Sequence, residues 1–393
     1  MSLKIMHILS SPHLGGAEQV CLSLAEAHAA RGHDIRLLLL QRGKVSETAD
    51  AMGLPVTLAD LPDSVSIGKR AFRMQAAESL ARAVTEFRPQ LVHSHVPLTN
   101  LLCHRVMPRL HVPWITTVHG SWRQFAYAPS TMSRPHLRPY LLLRHALGDH
   151  LTMRSAERLV AVADYVKQQL RSIGIADRKV VTILNGMPQP AQQVSRQSAR
   201  ELLDIPSHAM IVGAMGYFAP VKGFDILIRA VARLLPKHPD LHLWIAGGGI
   251  LGENDMQSTL TRLIAATCPG NRVHLAGTQD PNAGFLSALD IFAITSLTEG
   301  LPLSLIQAMQ HGIPSVVTSA GGCVEAARPG SESLVFRSRD VEDLAAQIET
   351  LILNKDLRES LGRAARERAG SYLTLARCAD DYERLYKSMV KTS

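Results

Sequence analysis

Residues 290–312 read "DIFAITSLTEGLPLSLIQAMQHG", and this stretch decides the fold. An apolar run of strand length comes first, and an apolar helical run follows after a turn that holds one acid, Glu299. Pro302 suits the first helical position, where its missing N–H would have no partner, and Gly312 suits the end of the helix. A continuous apolar strand joined by a turn to a helix indicates a parallel sheet that is buried on both faces.

The same alternation of strand and helix runs along the whole chain. After the helix at 72–87, for example, strands resume beyond Pro89, and three helical stretches close the chain. The other predicted strands are LKIMHILS, DIRLLLLQ, QLVHSHV, VPWITTVHG, RLVAVA and KVVTILNG in the first half, and MIVGAMGYF, LHLWIAGGG, RVHLAG, PSVVTSA and SLVF in the second.

The length of 393 residues is about twice that of a usual domain, so two domains with separate cores are expected. The stretch 187–207 interrupts the alternation with three prolines and polar residues, which is typical of a linker. We therefore predict an α/β protein with Rossmann-like, doubly wound parallel-sheet domains at 1–190 and 191–373. Such domains bind ligands at the carboxyl ends of their strands, so the two are expected to face each other across a cleft.

The net charge of +8 is concentrated in the first half of the chain. Residues 1–190 hold 22 Lys and Arg against 13 Asp and Glu, whereas the remainder holds 20 against 21. No acid occurs between Glu86 and Asp149, so this stretch is expected to attract anions. Binding of a polyanion such as nucleic acid is a second hypothesis, but the chain shows no known nucleic-acid module, so no nucleic-acid partner is predicted.

Cysteine usage and hydropathy bear on the compartment. The five cysteines are scattered, with no metal-site or disulfide spacing, which favours a reducing environment. The first apolar segment is too short for a secretion signal, and no apolar run approaches the roughly 20 residues that cross a bilayer. A cytoplasmic protein is predicted, with any membrane contact being peripheral and at the inner face of the cytoplasmic membrane. The oligomeric state is left open, with a monomer as the default.

Glu299 and Lys222 are the first candidate site residues. The helix after Glu299 presents free N–H groups that suit a phosphate, and a carboxylate beside them suits a donor-rich group such as sugar hydroxyls. Together these preferences describe a nucleotide-sugar, although Glu299 would also interact favourably with the helix dipole alone. Lys222, in the loop "GYFAPVKGF", would neutralise a diphosphate leaving group; a solvated loop lysine is the alternative.

The first half offers glycines and histidines at strand ends. Gly15 and Gly16 join the first strand to the first helix, and they allow close backbone approach to an anion without forming the GxGxxG fingerprint of a dehydrogenase. His119 ends a strand, where a polar contact or acid/base role is possible. His93 and His95 are expected on opposite faces of one strand, so no metal site is predicted.

Together these motifs resemble the retaining glycosyltransferases of family 4, which have the GT-B fold. The resemblance covers nearly the whole chain. It rests on "GGAE" at 15–18, "HG" at 119–120, "RLVAVADYVKQQL" and "ILNG", and then on "PVKG" at 220–223, "IAGGG" at 245–249, "VHLAG" at 273–277, "EGLPLSLIQAM" at 299–309 and "GGCVEA" at 321–326.

The resemblance implies roles at matching positions. His119, Lys222 and Glu299 would be catalytic, with His119 near the donor sugar, Lys222 on the diphosphate and Glu299 on sugar hydroxyls. It implies a metal-independent and cofactor-free transfer with retention, in which the leaving diphosphate helps to deprotonate the acceptor. The C-terminal helix 374–393 would join the acceptor-binding N-terminal domain. The donor would also meet Gly15, Gly16, Gly216, Gly247, Gly300, Leu301 and Gln307.

Two departures from the family pattern leave alternatives open. Gln307 stands where the family has a second glutamate, and Tyr217 and Gly216 stand where it usually has an arginine. The missing cation would cost about 1.5–3 kcal/mol of diphosphate binding. A catalytically silent partner protein is therefore an alternative, and a sugar-nucleotide epimerase of the same overall fold is a weaker one.

The acid-free stretch indicates the acceptor. Its arginines stand among Trp122, Phe125, Tyr127 and Tyr140, and this mixture suits the headgroup boundary of a membrane. A glycan, lipid-linked or lipopolysaccharide-type acceptor is predicted, with peripheral contact to an anionic membrane. The residues assigned to this acceptor or membrane face are Arg123, Arg134, Arg138 and Arg144.

Overall fold

A computed structural model describes residues 2–62, 66, 68–127, 132, 135–190, 193–248, 254–268, 270–280 and 284–390. The chain divides into two compact units. The first comprises Met1–Trp122, His136–Pro188 and Leu375–Ser393, and the second comprises Arg123–Pro135 and Gln189–Thr374. The sequence predicted a domain boundary between residues 190 and 191, with residues 123–135 in the first domain. The structure assigns residues 123–135 to the second unit.

The first unit is built on a parallel sheet. Its seven strands, counted over the described residues, lie in the order β3-β2-β1-β4-β5-β6-β7. They are β1 Lys4–Leu9, β2 Asp34–Leu39, β3 Val56–Leu58, β4 Leu91–Ser94, β5 Trp114–Val118, β6 Arg158–Ala161 and β7 Val180–Thr182. The helices between them are α1 Gly16–Ala30, α2 Lys44–Ala51, α3 Lys69–Phe87, α4 Pro97–Leu110, α5 Arg138–Met153 and α6 Asp164–Ser172.

The second unit repeats this plan. Within its described part, six parallel strands lie in the order β10-β9-β8-β11-β12-β13. They are β8 Met210–Met215, β9 Leu241–Ala246, β10 Val273–Leu275, β11 Ile291–Ile294, β12 Ser315–Thr318 and β13 Ser333–Phe336. Its helices are α7 Arg196–Leu202, α8 Phe224–Leu234, α9 Asn254–Thr267, α10 Leu303–Gln310, α11 Cys323–Ala326, α12 Val341–Leu353 and α13 Lys355–Ser371.

Burial explains why these strands form a covered sheet. All four residues of β4, β11 and β12 are buried, and so are all residues of β1 except its first. A strand buried on both faces needs helices on both sides, which the connecting helices supply. In the second unit, α8 contributes most of its length to a core shared with β8 and β9. The α/β class predicted from the sequence is confirmed.

The last helix, α14, spans Leu375–Met389 and belongs to the first unit. It packs against α1, where Arg31 forms ion pairs with Asp380 at 2.7 Å and Glu383 at 2.9 Å. The Nε2 atom of His28 lies 3.0 Å from the Ala379 carbonyl oxygen. The last helix therefore packs on the unit with which the chain begins, and the family resemblance assigned residues 374–393 to the same domain.

Two general findings accompany the fold. All five cysteines are buried free thiols. Over the residues that the structure describes, no helix has both the length and the apolar character needed to cross a membrane.

Candidate active site

Two loops at one edge of the second sheet bring Lys222 and Glu299 together. Strands β8 and β11 are parallel neighbours, so their carboxyl ends lie at the same edge. The Lys222 Nζ atom lies 2.5 Å from Glu299 Oε1, and Ser296 Oγ donates to the same oxygen at 2.7 Å. Both charged side chains are mostly buried, with 17% and 15% of their surfaces exposed. The two most important predicted residues thus form one ion pair.

The charge state of Lys222 follows from its neighbours. Burial by itself would lower the pKa of the Lys222 ammonium, but the Glu299 carboxylate and then Tyr217 favour its charged form, and the pKa is raised. The Nζ atom also lies 4.9 Å from the centroid of the Tyr217 ring. Lys222 therefore keeps its positive charge in a largely desolvated place, where a charge acts on a ligand more strongly than in water.

Backbone hydrogen bonds fix the two loops to each other. The Leu297 amide donates to the Val221 carbonyl at 2.7 Å, and Thr295 Oγ1 donates to the Lys222 carbonyl at 2.9 Å. Gly223 permits this approach: its φ is +62°, and a Cβ there would lie 2.3 Å from the Thr295 carbonyl oxygen. The geometry of the ion pair is thus set by main-chain contacts beneath it.

A third loop closes over the other side of Glu299. Gly321, with φ of +76°, lies so close that a Cβ would be 2.4 Å from the Glu299 carbonyl oxygen, and the Gly322 amide donates to that oxygen at 3.3 Å. In the sequence these two glycines open the motif "GGCVEA" at 321–326, on which the family resemblance rests in part. Their structural function is to let backbone contact backbone at Glu299.

The other predicted donor residues of the second unit lie around this edge. Gly216 and Gly247 follow β8 and β9, and a Cβ on Gly247 would meet the Gly216 carbonyl oxygen at 1.9 Å. The Lys222 side chain packs on Gly216, 3.5 Å from the position of a Cβ. Gly300 and Leu301 are buried beside Glu299, and Gln307 is half-buried on α10.

One detail of α10 differs from the prediction. Pro302 was expected to be the first helical residue, but its ψ of 121° is extended, so it is the N-cap and the helix begins at Leu303. The helix ends at Gln310, and Gly312 follows with φ of +71°, as predicted. The amino end of α10 thus lies four residues after Glu299.

In the first unit, the Glu18 side chain already fills part of the Gly15–Gly16 turn. Glu18 accepts a hydrogen bond from the Gly15 amide at 3.1 Å, and a Cβ on Gly15 would lie 2.8 Å from the Glu18 Oε2 atom. Desolvation raises the pKa of this buried carboxyl. An anion at this turn would therefore have to bind through other amides of the first turn of α1. The sequence signal for Glu18 was its spacing, three residues after the cap.

His119 follows β5 directly, and it is the half-buried end of a row whose other histidines, His95 and His7, are buried. Its Nε2 atom lies 3.3 Å from His95 Nδ1, and His95 Nε2 lies 3.1 Å from His7 Nδ1. Desolvation lowers the pKa of His119 to about 3, and burial with repulsion from His28 lowers that of His7 to about 3. His119 is therefore neutral near pH 7, and it can donate or accept one hydrogen bond at its other nitrogen.

The prediction that His93 and His95 point to opposite faces is wrong. Their ring centroids lie only 4.0 Å apart. Residues two apart in an extended chain point to the same face, so the rings of His93 and His95, which follows the last residue of β4, lie on one side. The Nδ1 atom of His93 lies 2.8 Å from Tyr386 Oη, and its Nε2 atom lies 2.7 Å from Thr117 Oγ1.

This geometry bears on metal binding. Among the described residues, His7, His93 and His95 form one group whose ligand atoms lie within 4.8 Å of one another. Both nitrogens of His93 already have partners, and His7 and His95 share a hydrogen bond. Hydrogen bonding accounts for the cluster, and we assign it no metal.

The predicted acceptor face lies partly on α5. Arg138 begins this helix, Arg144 lies in its second turn, and both are exposed. Arg123 is exposed in the 3₁₀ turn Trp122–Tyr127, which is divided between the two units. Arg134 lies outside the described residues.

Comparison with known proteins places this architecture in a class. The model for "Glycosyltransferase Family 4" matches residues 14–188, and the model for "Glycosyl transferases group 1" matches residues 195–368. The Anabaena protein Alr3699/HepE, solved in complex with UDP and glucose, superposes with a TM-score of 0.83 at 19% identity, covering 98% of this chain and 100% of its own. WaaG, a glycosyltransferase involved in lipopolysaccharide biosynthesis, superposes with a TM-score of 0.73 at 14% identity, covering 99% and 100%. The protein is a glycosyltransferase with the GT-B fold.

Sequence relatives are glycosyltransferases by name as well. The D-inositol 3-phosphate glycosyltransferase of Mycolicibacterium smegmatis is 27% identical over 378 residues, which cover 91% of this chain and 83% of the relative. The lipopolysaccharide core biosynthesis glycosyltransferase LpsE of Rhizobium meliloti is 28% identical over 246 residues, covering 62% and 68%. The chain belongs to the family 4 glycosyltransferases.

Proposed function

We propose that this glycosyltransferase moves a sugar from a nucleotide-diphosphate sugar to an anionic or lipid-linked glycan acceptor, with retention at the anomeric carbon. The observation that carries the proposal is the ion pair of Lys222 and Glu299 at the carboxyl edge of the second sheet. It places a cation that suits a diphosphate within 2.5 Å of a carboxylate that suits sugar hydroxyls.

In this mechanism the pair exchanges partners when the donor binds. The diphosphate takes up the Lys222 ammonium, and the Glu299 carboxylate then accepts hydrogen bonds from the sugar. Positive charge at the diphosphate stabilises it as it leaves, which lowers the barrier to breaking the glycosidic bond. Because Lys222 supplies that charge, we propose that the transfer needs no metal ion or cofactor.

Retention places the acceptor oxygen on the side of the sugar from which the diphosphate leaves. The departing diphosphate oxygen then takes the acceptor proton as the new bond forms, so no protein base is required on the opposite face. His119, which is neutral and follows β5, is proposed as a hydrogen-bonding group for the donor sugar.

The names of the relatives support the donor and acceptor classes. Alr3699/HepE has been solved with UDP-glucose, one relative is named a D-inositol 3-phosphate glycosyltransferase, and LpsE is named for lipopolysaccharide core biosynthesis. The basic excess of residues 1–190 suits such acceptors. Free thiols are typical of a reducing compartment, so we propose a cytoplasmic location.

The alternative of a catalytically silent protein rests on Tyr217 and Gln307. Thermal unfolding with UDP, GDP, ADP and CMP and their sugars identifies the donor class, because a ligand at 100 times its Kd adds about 2.7 kcal/mol of stability. Turnover of that donor then separates the two possibilities. We expect one nucleotide diphosphate to raise the Tm, and Lys222→Ala to abolish the shift. Donor turnover that is lost in Glu299→Ala supports an enzyme, whereas binding without turnover supports the silent protein.

A further inference from the structure

Helix α5 carries large apolar side chains on its solvent-facing side as well as on its buried side. Ala146 and Met153 are buried, but Tyr140, Leu143, Leu147 and Leu151 keep 63%, 67%, 54% and 42% of their surfaces exposed. The spacing of three and four residues puts these four on one side of the helix. A soluble protein rarely leaves such a row of apolar side chains in water without a use for it.

Basic residues are interleaved with this row. Arg144 lies four residues after Tyr140, and Arg154 lies three residues after Leu151, so both fall on the same side, and both are exposed. The single acid of the helix, Asp149, is two residues from Leu147 and Leu151 and therefore lies on another side. We call the six residues Tyr140, Leu143, Arg144, Leu147, Leu151 and Arg154 the α5 stripe.

An apolar groove lies beside the stripe. Its volume is about 570 Å³, and Leu143 and Leu147 line it together with Trp122, Leu142, Ala146 and Ile173. Two leucines of the stripe are therefore also walls of the groove, and the apolar area is wider than the helix alone.

We propose that the α5 stripe docks this glycosyltransferase on the surface of an anionic lipid bilayer. Leucine and tyrosine interleaved with arginine are the composition of helices that lie in the interface between headgroups and acyl chains. The apolar side chains enter that interface, and the arginines meet anionic headgroups. The proposal rests on the proposed function, because a lipid-borne acceptor gives the enzyme a reason to work at a membrane.

Charge argues against a second copy of the chain as the occupant. In a two-fold dimer through this stripe, Arg144 and Arg154 of one copy would face the same residues of the other. The stripe offers no carboxylate to pair with them, so such an interface would be repulsive. An anionic bilayer satisfies both the arginines and the leucines.

Flotation with vesicles tests the proposal. The full chain is mixed with phosphatidylcholine vesicles that contain or lack phosphatidylglycerol, and the floated fraction is measured at low and high salt. We expect binding to the anionic vesicles only, weakened as salt screens the arginines. Leu143→Gln with Leu147→Gln should lower the partition coefficient about tenfold or more, since two apolar groups no longer leave water. Arg144→Gln with Arg154→Gln should lower it about thirtyfold.

The matched control is a pair of equally exposed leucines elsewhere. Leu202 and Leu353 keep 71% and 73% of their surfaces exposed at the ends of α7 and α12. Leu202→Gln with Leu353→Gln should float like the wild type. Equal losses in the control and stripe variants would overturn the proposal, as would a wild type that stays with neither vesicle.

Two further measurements distinguish membrane docking from dimerisation and from a failure of the proposed function. The molar mass in solution is measured by light scattering for the wild type and for Leu143→Gln with Leu147→Gln. A dimer that the stripe variant dissociates, with unchanged flotation, would assign the stripe to a second copy and overturn membrane docking. The thermal shift by nucleotide diphosphate is measured on the same samples without vesicles; its absence would count against the proposed function, whereas failed flotation with a normal shift counts only against docking.

Discussion

The Nζ atom of Lys222 lies 2.5 Å from the Oε1 atom of Glu299, although each side chain was predicted to bind a different part of the donor. Both predictions are compatible with the ion pair. The buried cation and the buried anion neutralise each other until the donor binds, and the donor then offers a new partner to each of them. The diphosphate offers an anion to Lys222, and sugar hydroxyls offer donors to Glu299. The ion pair thus keeps both side chains charged before the donor binds.

Removing the cation should destabilise the second unit. In Lys222→Met the Glu299 carboxylate stays mostly buried and keeps the hydrogen bond from Ser296, but it loses its cation. We expect the free energy of unfolding, measured in urea at pH 7, to fall by about 1–3 kcal/mol. Lys222→Met with Glu299→Gln should recover much of the loss, because no uncompensated charge remains. A double variant as unstable as the single one would contradict this account.

The pH dependence has a definite sign. The pKa of Lys222 is raised in the folded protein, so its contribution to stability is fully present below the ordinary lysine pKa and is lost as pH rises through the folded value. The difference in stability between the wild type and Lys222→Met should therefore shrink at strongly alkaline pH. A difference that stays constant would mean that the Lys222 charge contributes nothing.

A methyl group at Gly223 should separate the two loops of the site. Gly223→Ala places a Cβ 2.3 Å from the Thr295 carbonyl oxygen at a φ of +62°, so the loops that carry Lys222 and Glu299 must move apart. We expect a loss of more than about 2 kcal/mol and of nucleotide binding. The control is Gly330→Ala, where φ is +72° and nothing lies within 4 Å of a Cβ. It should cost about 1 kcal/mol and leave binding intact.

The fold could be predicted from the sequence because its signals are local. Continuous apolar strands between amphipathic helices predicted the parallel sheets, and α12, α13 and α14 are the three helical stretches predicted at the end of the chain. The edge strand β3 was missed, since three half-buried residues are too few to show a pattern. Helix α5 was missed as well, because arginines and leucines on both of its sides obscure an amphipathic period.

The site was predicted residue by residue but not as an arrangement. Lys222 and Glu299 were expected at one sheet edge, yet their direct pairing depends on backbone contacts at Gly223 and Gly321 that no sequence pattern states. His7 drew no attention, because its partners His93 and His95 are more than 80 residues away in the chain. The prediction for His93 and His95 was wrong because alternation in a strand places residues two apart on the same face, so the spacing itself indicated that the two rings lie together.

Adding the missing arginine should strengthen donor binding. Tyr217 contacts the Lys222 ammonium through its ring, 4.9 Å from the centroid, at a position where the family usually has a cation. Tyr217→Arg would add a charge-assisted hydrogen bond to the diphosphate, worth about 1.5–3 kcal/mol or roughly a tenfold to hundredfold lower Kd. Calorimetric titration with the nucleotide diphosphate measures it. Tyr217→Met, which removes the ring without adding charge, should show no gain.

Acid should unfold the first unit through its buried histidines. The pKa of His7 is lowered to about 3, mainly by burial and secondarily by repulsion from His28, whereas an unfolded chain binds that proton near pH 6.5. The stabilising effect of neutral His7 is therefore fully present above pH 6.5 and is lost as pH falls toward 3, at about 1.4 kcal/mol per pH unit. His28, with a pKa lowered to about 4, acts in the same direction.

A substitution at His7 isolates its share of this acid sensitivity. His7→Leu loses the hydrogen bond to His95 and should be less stable at pH 7, but its stability should fall by about 2 kcal/mol less than that of the wild type between pH 7 and pH 5. Urea unfolding at a series of pH values measures the difference. The control is His136→Leu, an exposed histidine of the same unit, which should follow the wild-type curve. If His7→Leu followed that curve too, His7 would not be neutral in the folded protein.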